Sequence, residues 1–125
     1  MIKHLDGIKE TVDFDELQGI LVYDNIQEED YPNHWHSSLE IIMPKENEYK
    51  VEIGETEYIL KPGDIMLIAP GVLHHLSANQ GRRTIILVDF SSLNTISKAV
   101  NPILSFIHPA LLITKETNPS EITLF

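Results

Sequence analysis

Cysteine is absent from the 125 residues. That excludes a disulfide framework, a thiolate metal site and a cysteine nucleophile, and it fits a reducing compartment. Long apolar runs are also absent. No segment approaches the roughly 18 consecutive apolar residues of a membrane-spanning helix, and the acid-rich start MIKHLDGIKETVDFDELQ holds no signal-peptide core. Basic groups are scarce: 9 Lys and Arg face 19 Asp and Glu, a formal net charge of -10. Nucleic-acid binding rests on neutralising phosphates, so this chain alone is a poor candidate for it. These absences predict a soluble, cytoplasmic chain that makes no membrane contact.

What is present fits one ordinary domain with a real core. Residues 1–18 mix polar and apolar groups without a period and read as an arm or an edge strand. From residue 19 the chain breaks into short apolar runs separated by Gly, Pro and Asn. GILVYDN (19–25) reads as a strand, and HWHSSLEIIMP (34–44) as another that stops at Pro44. NEYKVEIGETEYIL reads as a hairpin turning at Gly54-Glu55. IMLIA (65–69), LHHLSA and RTIILVDF (83–90) complete the series. Strands at such short intervals indicate an all-β sandwich or barrel rather than alternating β-α units. The pair Arg82-Arg83 reads as a solvated strand end, and QEED (27–30) as an acidic loop.

Beyond Phe90 the spacing changes. Leu93, Ile96, Val100, Leu104 and Ile107 recur at helical intervals, divided by Pro102 and Pro109. Residues 91–125 are therefore expected as short helices or turns. TNPSEITLF carries helix-start signals, a capping Thr117 or Asn118 with Pro119 behind it. A start without room for a helix predicts that the natural chain continues past Phe125.

Two histidines and a glutamate crowd the stretch YPNHWHSSLE (31–40). His34, His36 and Glu40 share parity, so on an unbroken strand all three project to one face. Glu40 would then stand about 13 Å from His36 along a straight strand. Reaching a common ion requires a bend, for which Ser37-Ser38 is a plausible place. A further imidazole is available at His74, just past Pro70-Gly71. Three imidazoles and one carboxylate suit iron, manganese, nickel, cobalt or zinc.

These residues carry a resemblance to the cupins, and within them to the N-terminal effector-sensing domain of AraC-family transcription regulators. The first cupin motif is His-x-His, three or four residues, Glu, six residues, Gly; here His34-Trp35-His36 leads to Glu40 and, six residues on, to Asn47. The second is Gly, five residues, Pro-x-Gly, two residues, His, three residues, Asn; here Gly63 leads to Gly71 and His74. Asn47 replaces a glycine, Ala69 the first proline, Ala78 the final asparagine, and Glu28 the glycine before His-x-His. None of these departures removes a ligand by type. The resemblance covers residues 19–90 and implies a jelly-roll barrel, the cupin double-stranded β-helix, with a short C-terminal helical segment at 91–125.

The resemblance further implies that His34, His36, Glu40 and His74 hold a divalent metal when one is bound, such as Zn, Ni, Mn or Fe. Some members of the group use the same barrel for an organic effector alone, and a hydrogen-bonded polar cluster without metal is the plainer reading of the four. The implied function is a dimerising domain that senses a small molecule and passes its state to a DNA-binding domain absent from this sequence. The alternative from another class is a free-standing metal-dependent cupin enzyme, a dioxygenase or an isomerase. Tyr23 is a candidate for lining the ligand pocket, with a core role as its plainer reading. Trp35 is a second candidate, although its parity turns it toward packing or a dimer contact. His75 has the opposite parity to His74 and is expected to face away.

Overall fold

The structure is a computed structural model that describes residues 5–6, 9–10, 19–25, 31–77, 81–90 and 105–114. It is built almost wholly from antiparallel strands, as the sequence predicts. A two-stranded ladder joins β1 (Leu5–Asp6) to β2 (Lys9–Glu10). Then follow β3 (Ile20–Asn25), β4 (Tyr31–His34), β5 (Leu39–Pro44), β6 (Tyr49–Ile53), β7 (Thr56–Leu60), β8 (Ile65–Ile68), β9 (His74–Leu76), β10 (Arg83–Val88) and β11 (Ala110–Ile113). One sheet has the order β11-β8-β5-β10-β3 and the other β4-β9-β6-β7.

Register explains the core. Side chains opposite one another across a sheet share a face. Leu112, Met66, Ile42, Ile85 and Tyr23 therefore form one row across the inner face of the five-stranded sheet. From the other sheet Tyr49, Val51, Leu60 and Leu76 join the same buried cluster. Strand β8 reads Ile-Met-Leu-Ile and is buried on both faces, which is why it has no polar alternation.

Two glycine-like positions set the turns. Asn47, at the place of the motif glycine, has φ 64°, a left-handed conformation that Asn tolerates better than most residues. Gly81 has φ 121° and lies against the Glu46 carbonyl. Around it Arg82 donates its N–H to Glu46 Oε1 at 2.9 Å, and the Arg82 carbonyl accepts from Lys45 N–H at 2.8 Å.

Three expectations from the sequence change. The run 34–44 is two strands, not one: β4 ends at His34 in one sheet and β5 begins at Leu39 in the other. Within 91–125, residues 105–107 form a single helical turn, but Ala110–Ile113 is a strand on the edge of β8. Pro109 ends the helical spacing, and the exposed ladder groups of β8 favour a paired strand over further helix. The barrel thus extends past residue 90. Third, Arg83 is not a solvated strand end. It is 2% exposed, because it shares the inward parity of Ile85 and Leu87, and its guanidinium carbon sits 3.9 Å from the Tyr49 ring centroid. The expected helices in 91–104, the helix start at TNPSEITLF and the loop 27–30 lie outside the described residues.

Replacing Gly81 by Ala forces a side chain into a left-handed backbone and onto the Glu46 carbonyl. Chemical denaturation should show a loss of about 1–3 kcal/mol. An unchanged midpoint would show that this turn does not need its glycine.

Candidate metal centre

The break between β4 and β5 builds the centre. After His34 the chain leaves the four-stranded sheet, bends at Ser37-Ser38, and enters the five-stranded sheet at Leu39. The bend replaces the long straight-strand separation by direct contact: His36 Nε2 lies 2.8 Å from Glu40 Oε1. His74 arrives from β9, opposite His34 in the ladder. A turn supports both histidine strands. Gly71, at φ 79°, donates its N–H to the His36 carbonyl at 2.8 Å, and Val72 donates to the Ala69 carbonyl. The structure therefore brings His34, His36, Glu40 and His74 together, all buried, with one possible ligand atom from each lying within 4.8 Å of the others. Donors held about 2.1 Å from a common ion stand about 3 to 4.2 Å apart, so the spacing suits one ion after a small contraction.

Each imidazole is oriented from behind. The Nδ1 of His34 faces the Pro32 carbonyl at 2.8 Å, that of His36 the Ser38 carbonyl at 3.0 Å, and that of His74 the Val72 carbonyl at 2.8 Å. A carbonyl only accepts, so the bonds behind His34 and His74 call for a proton on Nδ1; behind His36 the Ser38 hydroxyl shares that place at 3.0 Å, and all three rings turn Nε2 toward the centre. Such outer hydrogen bonds are what fix a ligating histidine. Glu40 is buried within an apolar row, Ala110–Ile68–Glu40–Leu87–Leu21. Its Oε1 accepts from His36 and, at 3.2 Å, from His74. Its Oε2 is buried with no hydrogen-bond partner, a costly state that a cation would relieve. That orphaned oxygen and the inward Nε2 atoms fit a metal ion.

Electrostatics sharpen the contrast between the groups. Burial pushes His34 down to about 4, with the neighbouring His74 charge acting in the same direction, so His34 stands neutral at neutral pH. Burial alone would raise the Glu40 carboxyl. The positive charge of His74 and the hydrogen bonds from His36 and His74 outweigh it and hold the carboxyl well below the usual carboxylate range.

The other candidates sit elsewhere. Tyr23 is half-buried beside Ile85, against the apolar core. Trp35 is half-buried with the Lys9 ammonium 5.1 Å over its ring. His75 faces away, its Nδ1 3.4 Å from Glu52. Sequence reasoning passed over two residues. Ser38 touches His36 Nδ1 with both its carbonyl and its hydroxyl, and its parity with His36 was the available signal. Arg83 carried the same signal through its parity with Ile85.

A family model described as AraC-like ligand binding domain matches residues 17–93. No curated protein matches by sequence. Among solved structures, similar folds include ToxT from Vibrio cholerae, with TM-score 0.53, 14% identity, and coverage of 84% of this chain and 44% of that one. A cupin-2 domain-containing protein from Shewanella frigidimarina has TM-score 0.52 and 19% identity, covering 59% of this chain and 74% of that one. Protein NMB1881 from Neisseria meningitidis has TM-score 0.50 and 18% identity, covering 57% and 75%. These identities show a shared fold. The chain spans less than half the length of ToxT.

The lowered His34 value has a sign that can be tested. An unfolded histidine takes up its proton near 6.5, whereas folded His34 resists until about 4. Its contribution to stability is present above 6.5 and is lost as pH falls toward 4. In metal-free protein, the wild type should lose about 3 kcal/mol more than His34→Gln between pH 7 and pH 4, measured by urea unfolding. Equal losses in both would show that His34 is not buried in its neutral form.

Proposed function

Since the chain belongs to the AraC-like ligand-binding domain family, we propose that it is the small-molecule-sensing domain of a transcription regulator, with one divalent metal ion at its sensing centre. The observation that carries the metal is the buried group His34, His36, Glu40 and His74, set within the span that the family model matches. The Nε2 atoms of the three histidines and the Glu40 carboxylate would hold the ion. Once bound, a divalent metal would supply a Lewis-acidic position suited to an oxygen or nitrogen donor. The protein's part is to orient and to exclude water. The carbonyls of Pro32, Ser38 and Val72 fix the rings, and Ile68 and Leu87 keep the surroundings of Glu40 apolar.

The acidic chain does not contact DNA itself. DNA is read by a C-terminal domain beyond this sequence, in a cytoplasmic homodimer. Effector binding acts by favouring one arrangement of that assembly over another.

Equilibrium dialysis of tag-free protein against Zn, Ni, Mn and Fe should give one equivalent of bound metal, and His36→Ala should lower the affinity at least tenfold. Affinity should also fall as pH drops through the histidine range, because imidazole must be neutral to ligate. Wild type that takes up no metal overturns the metal reading. For duplex DNA, a binding titration of this chain should show no salt-dependent affinity; micromolar binding that weakens steeply with salt would contradict the assignment of DNA reading to another domain.

A further inference from the structure

The two larger sheets end in the strands β3, β11, β4 and β7. An edge strand with open ladder groups is a template for a further strand, and proteins guard such edges with proline, charge, bulges or short length. Three of these edges carry a guard. β4 contains Pro32 and a register irregularity between Tyr31 and His34. β11 is four residues long and begins directly after Pro109. β7 exposes Glu57, with Glu55 and Lys61 beside its ends. β3 differs. It runs six residues, ILVYDN, without Gly, Pro or Lys, and among the described residues it pairs with β10 alone. Its side chains Ile20 and Val22 are 43% and 51% exposed.

The ladder shows which backbone groups face away from the sheet. Asp89 donates its N–H to the Gly19 carbonyl at 2.7 Å, one step beyond the Val88–Ile20 pair. Antiparallel pairs alternate between bonded and non-bonded. Leu21 and Tyr23 therefore bond to β10, while Ile20, Val22 and Asp24 turn their N–H and C=O groups outward. Open backbone and exposed apolar side chains thus belong to the same residues. Their face of the sheet is apolar too, Val22 continuing across it as Ile86, Ile41, Leu67 and Leu111. Two copies of a chain with net charge -10 repel each other, least where acids are few. On β3 the charged side chain is Asp24, at one end, and Lys45 stands 3.9 Å from it.

We propose that β3 pairs antiparallel with β3 of a second copy, about a two-fold axis at Leu21, and joins two five-stranded sheets into one. Residues opposite each other across such a seam share a face, so the axis passes through a residue. At Leu21 it sets Ile20 against Val22 of the second copy, in both directions, and each pair exchanges its outward hydrogen bonds. An axis at Val22 or Tyr23 sets Asp24 against Ile20 or Val22 instead. A six-residue seam is small beside stable interfaces, so the dissociation constant is on the order of 10 μM. The seam gives a surface to the homodimer proposed above and rests on that part of the reading alone, not on the metal.

The test is sedimentation equilibrium of the whole chain across the micromolar range, where wild type should pass from monomer to dimer. Val22→Glu sets a further acid in the seam. Val22→Pro removes an outward N–H without costing a bond to β10. Both should raise the dissociation constant about tenfold or more, whereas Ile59→Glu, at an exposed position of the β7 edge, should leave it unchanged. Leu21→Cys, in a chain with no other cysteine, should cross-link to its counterpart on oxidation, since non-bonded antiparallel partners stand about 4.5 Å apart. Asp24→Cys should not. A dimer that persists in either Val22 variant, that Ile59→Glu breaks, or that cross-links through Asp24→Cys in place of Leu21→Cys overturns the β3 seam and leaves the homodimer standing. Wild type that stays monomeric throughout removes homodimer and seam together, β3 then being capped within its own chain.

Discussion

A carboxylate buried in an apolar row is the constraint around which this barrel is arranged. Glu40 is 2% exposed, with Ile68 on one neighbouring strand and Leu87 on the other. An isolated charge in such a place would cost several kcal/mol. The cost is offset by donors that come from the opposite sheet and from the bend that joins the two sheets. His74 reaches Glu40 from β9, and His36 from the segment between β4 and β5. The two sheets are therefore held together at this end by a charge-assisted network and farther along by ordinary apolar packing.

The same arrangement links the centre to the frame. The turn after β8 bonds in three directions. Ala69 donates to the Pro109 carbonyl, Gly71 to the His36 carbonyl, and the Val72 carbonyl accepts from His74. A displacement of His36 or His74 is thereby coupled to the edge on which β11 sits. Rigid support of this kind is what a binding site needs when geometry decides affinity.

At the other end of β10 lies a second polar anchor. Arg83 is four residues from Leu87, about 13 Å along the strand, and faces the interior against Tyr49. Between Arg83 and Glu40 the inner face is Ile42, Ile85 and Met66. The interior is thus apolar in the middle and charged toward both ends, with opposite signs.

Local sequence determined the strands. Alternation and turn residues placed the hairpin with its turn at Gly54-Glu55, the strand within 19–25 and the stop at Pro44, because these depend on neighbours within a few residues. It also picked out which side chains could ligate, by residue type and by the equal parity of His34, His36 and Glu40, although the unbroken strand on which that parity rested is interrupted at Ser37-Ser38. Asn47 was legible as a position needing a left-handed backbone. Tertiary structure decided the rest. Whether residues 35–38 continue a strand or turn a corner depends on which sheet each half finds a partner in, and that information lies at His74, Ile68 and Leu87, far away in sequence. Helical spacing could not foresee β11, because its conformation is settled by the open edge of β8. Nor could composition tell that Arg83 is buried, since an arginine at a strand entrance becomes interior only when an aromatic ring from the opposite sheet receives it. Periodicity is a property of the chain; the convergence of His74 on Glu40 is a property of two sheets packed face to face.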